Sequence, residues 1–129
     1  MAAVSAYHPP AGIGMTEFGI GIEWNGDAVH LRLRGELDIA VAPELVERVE
    51  AFRDSSARLA LIDLAEVTFV DSSGLRALLS AQQAAAGAED FEVIVVRTPR
   101  SVRRVIDLTG ADRLLRLEDA VPPLAGDAG

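Results

Sequence analysis

Apolar and polar residues alternate along the first third of this chain. Phe18, Ile20, Ile22 and Trp24 interleave with Gly19, Gly21 and Glu23; Val29, Leu31 and Leu33 interleave with His30, Arg32 and Arg34. A period of two predicts strands with one buried face. Asn25-Gly26 lies between them, a strong hairpin signal, so the two strands are expected to pair antiparallel. Phe18 and Trp24 read as core, whereas His30 falls on the polar face with no evident partner.

Gly35-Glu36-Leu37-Asp38 breaks the alternation, and the period then changes to that of a helix. Pro43 suits a first turn, and Leu45, Val46, Val49 and Phe52 recur at helical spacing. Glu44, Glu47 and Glu50 form a solvated opposite face. Leu59 to Leu64 is nearly all apolar, as expected of a central strand covered on both sides. A second helix is expected from near Ser73 to before Gly87, with Leu75, Leu78 and Leu79 facing inward. Phe91 to Val96 reads as another buried strand. A third helix opens at Pro99 and Ser101, carries Val102, Val105 and Ile106, and stops at Gly110, with Arg100, Arg103 and Arg104 outward. Leu114 to Leu117 is expected to form a short last strand. Strands alternating with helices imply parallel pairs joined by crossovers. The expected fold is a single α/β domain, an open mixed sheet of four or five strands with helices packed on it. It spans roughly residues 17–120, between Ala-, Gly- and Pro-rich tails at 1–16 and 121–129.

Composition narrows the function. The 129 residues carry 20 acidic and 12 basic side chains, a net charge of −8, which disfavours nucleic acid as a partner. All basic residues are arginine, which we read as compositional bias. The absence of cysteine removes disulfide, thiolate and zinc-thiolate chemistry. The N-terminus lacks the basic and apolar regions of a signal peptide, and no apolar run nears the ~20 residues that span a bilayer. A cytoplasmic protein without a membrane segment or cofactor is expected.

The most informative run is Val67 to Leu79, Val-Thr-Phe-Val-Asp-Ser-Ser-Gly-Leu-Arg-Ala-Leu-Leu. An apolar strand end stops at Asp71, and two hydroxyls and Gly74 precede an amphipathic helix. A serine oxygen at a helix N-terminus suits a phosphate, through the helix dipole and free backbone N–H groups. Asp and Ser also cap helices, so an ordinary helix start explains the same residues.

Gly35-Glu36-Leu37-Asp38 with Ala42-Pro43-Glu44-Leu45, then Val67 to Leu79, then Pro99 to Gly110 with Asp112-Arg113-Leu114, together resemble the STAS domain. The resemblance is specifically to the small single-domain anti-sigma-factor antagonists of bacteria. It implies a protein that captures an anti-sigma factor and so frees a sigma factor. It also implies a partner that is a serine kinase of the histidine-kinase-like ATPase type, and a serine phosphatase that reverses the modification. By motif position the phosphorylated residue would be Ser73. Asp38 matches a family aspartate near the phosphosite, and Asp71, Ser72, Gly74 and Leu75 complete the expected partner-binding surface. Asp38 reads equally as an ordinary turn residue. Val41 departs from the family, which often has a hydroxyl there, so Ala42 would start its helix poorly capped.

Two other classes compete with this reading. A serine hydrolase needs a base held against the hydroxyl. Only His8 and His30 exist, and no nucleophile elbow, phosphate-binding loop ending in Lys or metal cluster accompanies them. A STAS scaffold that is never phosphorylated, or a sensory-complex subunit, is the alternative.

Overall fold

The computed structural model describes residues 18–123; the expected tail at 1–16 and most of that at 121–129 lie outside the described residues. The elements are β1 (Gly19–Asn25), β2 (Ala28–Leu37), α1 (Ala42–Arg53), β3 (Leu59–Val70), α2 (Ser72–Ala86), β4 (Glu92–Val96), α3 (Arg100–Thr109), a 3-10 turn at Ala111–Arg113 and β5 (Leu117–Glu118).

The five strands lie in the order β1-β2-β3-β4-β5. β1 and β2 form the expected hairpin, with Ile22 opposite Leu31, and every later neighbour is parallel. Two successive parallel steps in the same direction, each made right-handed, carry α1 and α2 to the same face of the sheet. There they pack side by side. Ile20, Ile22, Leu31, Leu33, Ile62, Leu64, Val93 and Val95 meet Leu45, Val49, Leu78 and Ala81 beneath them. α3 contacts β3 and adds Val102 and Ile106 to this core. The alternate residues Leu61, Ile94 and Val96 form a second, small cluster on the opposite face, with Val121 packed against it. Phe18 and Trp24 pack against the main core, Trp24 edge-on to Phe52 with ring centroids 5.5 Å apart.

Two boundaries differ from the sequence reading. β2 does not end at Gly35. It runs on to Leu37 through an irregular register at Arg32–Arg34 and Gly35–Glu36, with Gly35 at φ 97°. Leu33, Gly35 and Leu37 keep the alternation and are all buried, the extra residues lying on β3 opposite them; the inward position at 35 carries no side chain to show the period, and glycine accepts the positive φ. β3 runs through the apolar stretch at Leu59–Leu64 to Val70, the strand end expected before Asp71, because β2 still pairs with it there although β4 does not. The last strand is Leu117–Glu118. Leu114, expected to begin it, follows the 3-10 turn and is exposed.

Candidate functional site

Leu37 pairs with Val70, so the loops leaving β2 and β3 start side by side at the carboxyl ends of neighbouring parallel strands. Each loop is fixed by its own aspartate. Asp38 Oδ1 accepts the Ala40 N–H at 3.0 Å, and its carbonyl accepts the N–H groups of Val41 and Ala42. This is the turn role read for it from sequence. α1 then starts from Val41 with no side-chain cap, and Pro43 occupies its first turn.

Asp71 caps α2. Its Oδ1 accepts the Gly74 N–H at 2.8 Å, its carbonyl accepts the Leu75 N–H, and its own N–H donates to Leu37 O at 3.3 Å. The Gly74 donor is already satisfied by a carboxylate, so of the free N–H groups expected at this helix end those of Ser72 and Ser73 remain. Gly74 is pressed against β2. A Cβ on it would lie 2.1 Å from Leu37 O. Gly74 and Leu75, two of the expected partner-binding residues, are buried and hold the loop in place.

Ser72 is exposed and Ser73 half-buried. Ser73 opens onto a groove of about 260 Å³ between α1 and α2, lined also by Ile39, Pro43, Val46, Arg76 and Ala77. Ile39 is 73% exposed, a large apolar side chain with nothing covering it. Sequence reasoning missed Ile39 and Arg76. Both came in runs already assigned a role, one a turn and the other a helix, and neither residue type signals a groove.

A second polar cluster lies on the sheet face away from the main core. His30 is buried rather than partnerless. Its Nε2 is 2.7 Å from Asp63 Oδ2. Arg97 donates to the same carboxylate from Nε at 3.0 Å and again from Nη2, and the Ala65 N–H donates to Oδ1. Burial pushes the Asp63 carboxyl upward, but the hydrogen bonds from His30, Arg97 and Ala65 and the guanidinium charge outweigh it. The carboxyl is held well below the usual carboxylate range. The same hydrogen bond raises Arg97. Arg97 sits at φ 53°, a left-handed conformation that costs a non-glycine residue about 1–2 kcal/mol. Nothing in the sequence linked these residues. They stand 33 and 34 positions apart and meet only when β2, β3 and β4 align.

The one described histidine is thus engaged with Asp63 on the far face and is not a base for Ser73. Among the described residues there is no group of acidic and histidine side chains that could hold a metal ion, and no helix is long and apolar enough to cross a membrane.

Comparison with known proteins agrees with this geometry. The chain is 27% identical over 93 residues to the anti-sigma-B factor antagonist of Staphylococcus epidermidis, covering 72% of this chain and 85% of that one. The crystal structure of an anti-sigma factor antagonist from Mycobacterium paratuberculosis superposes with a TM-score of 0.70 at 26% identity, covering 84% of this chain and 91% of that one. The Bacillus cell fate determinant SpoIIAA in its phosphorylated form shares the fold, with a TM-score of 0.57 at 18% identity, covering 80% of this chain and 92% of that one. The STAS domain model matches residues 20–122, and with the five-stranded mixed sheet and three helices this places the chain in the STAS domain family.

Proposed function

We propose that this protein is an anti-sigma-factor antagonist, a regulatory binding module that captures an anti-sigma factor and so releases a sigma factor. Phosphorylation of Ser73 switches it off. The observation that carries this reading is the placement of Ser73, a half-buried hydroxyl at the edge of an exposed apolar groove. A partner that covers Ile39 and Pro43 must pack over Ser73 as well. A phosphate there adds about −2 charge and bulk where an interface has to close. Asp38, Asp71 and Ser72 frame the contact surface. Names of relatives support the antagonist role.

In this reading the anti-sigma factor is itself a serine kinase of the histidine-kinase-like ATPase type. The Ser73 Oγ–phosphorus bond forms as the bond from the γ-phosphorus to ADP breaks, and the hydroxyl proton passes to a base on the kinase. A serine phosphatase restores the hydroxyl by hydrolysis. All of this takes place in the cytoplasm, without direct contact to nucleic acid.

The test is mass spectrometry after incubation with ATP and the candidate kinase, with binding measured in parallel. One phosphate is expected on the wild type and none on Ser73→Ala. The phosphorylated protein is expected to bind the anti-sigma factor at least tenfold more weakly, about 1.4 kcal/mol. A phosphate that persists in Ser73→Ala overturns the site. Unmodified protein that binds its partner equally well in either condition favours the scaffold reading.

A further inference from the structure

Eight of the twelve arginines form ion pairs with described carboxylates; Arg76, Arg100, Arg104 and Arg113 do not. Of these four, Arg76 alone lines the groove beside Ser73. It lies three positions after Ser73 on α2, so the two side chains are neighbours on one helix face, with Cβ atoms about 5–6 Å apart. Arg76 is exposed, and it also lines the continuation of the groove toward Glu50 and Arg53.

The local charge balance makes this residue matter. The Gly74 N–H and the Leu75 N–H are both taken by Asp71. A phosphate on Ser73 would therefore lie beside a capping carboxylate, with only the Ser72 and Ser73 N–H groups of the helix start left to donate to it. Like charge so close disfavours a dianion unless a cation answers it. Arginine offers a planar fork that binds phosphate through two parallel hydrogen bonds.

We propose that Arg76 is the built-in counter-ion of phosphorylated Ser73, and that its swing to the phosphate draws the guanidinium across the apolar groove beside Ile39 and Pro43. The inference rests on Ser73 being the phosphoacceptor. It gives the modification a second effect beyond added charge. The groove is covered from within when the protein is switched off, and Arg76 is free to meet a partner's carboxylate when it is on.

The experiment uses full-length protein carrying phosphoserine at position 73 by genetic encoding, so that no kinase is needed. Phosphorus NMR titration reads the second phosphate ionisation, and the arginine Nε–H resonances are followed at the same time. In the wild-type background the phosphate is expected to ionise about 0.5–1 pH unit lower than in Arg76→Gln. One arginine Nε–H resonance should shift on phosphorylation and be missing from the Arg76→Gln spectrum. Arg76→Lys should recover most of the ionisation shift but not the Nε–H signal. Arg48→Gln, on α1, should leave both unchanged. Equal titration in the wild-type and Arg76→Gln backgrounds overturns the proposal. Absence of phosphate in the kinase assay would instead overturn the preceding reading, and leaves this result standing as chemistry of the site.

Discussion

Gly74→Ala is expected to destabilise the domain by about 3 kcal/mol or more, or to prevent folding. Alanine is intrinsically the better helix former, by about 1 kcal/mol, so in an open helix this change would stabilise. Here the sign reverses. The new Cβ would sit 2.1 Å from Leu37 O and 2.9 Å from Leu37 C. The obstacle is backbone, which cannot rotate aside, so α2 must lift from the end of β2. Overpacking typically costs about 1–3 kcal/mol, and a backbone clash belongs at or above the top of that range. The same lift would break the Asp71 N–H bond to Leu37 O and shift Ser73 in its groove. Gly87→Ala is the control. It lies at the end of α2 with nothing within 4 Å of an added Cβ. Urea denaturation of both variants decides the matter: a Gly74→Ala midpoint equal to or above that of the wild type would sink the close-approach argument.

The second large effect is expected at Asp63. Asp63→Ala leaves buried His30 without its acceptor and Arg97 in a left-handed conformation without the ion pair that holds it there. Leaving a buried hydrogen-bonding group unsatisfied costs about 1–3 kcal/mol, and Arg97 loses its ion pair as well. Acidity should act through the same group. The folded-state carboxyl ionises below its usual value of 3.8, so the ionised group favours the folded protein. That contribution is complete above about pH 5 and is lost as pH falls through the unfolded value and on toward the folded one. The groups facing the carboxylate are the His30 ring on β2 and the Arg97 guanidinium after β4, with Glu66 acting on Arg97. Asp63→Asn cannot titrate. Its stability should therefore fall less between pH 5 and pH 3 than that of the wild type, measured by urea midpoints at each pH. Parallel loss in the two proteins would remove Asp63 from the acid response.

The strand and helix pattern was legible because each period records a face that must be buried. Ile20, Ile22, Leu31 and Leu33 alternate, Leu45, Val49, Leu75 and Leu78 recur at helical spacing, and all eight lie in the core. The pattern misled where pairing outlasted periodicity. At Gly35 the inward position carries no side chain while the ladder to β3 continues, and a one-dimensional reading cannot tell a glycine inside a strand from the strand's end. His30 failed for a related reason. Its strand position correctly placed it off the main core, but burial on the other face depends on what lies across the sheet.

What the sequence by itself determined was therefore local: the hairpin, the alternation of strands with helices, the family motif, and a serine at the start of α2. These depend on neighbours a few residues apart. Only the tertiary structure decided what surrounds that serine. It set Asp71 against the Gly74 N–H, drove Gly74 onto the Leu37 carbonyl, opened a groove between α1 and α2 with Ile39 and Arg76 on its walls, and joined His30, Asp63 and Arg97. Most of these contacts join groups far apart in the chain, and their cost or benefit appears only once packing brings them to bonding distance.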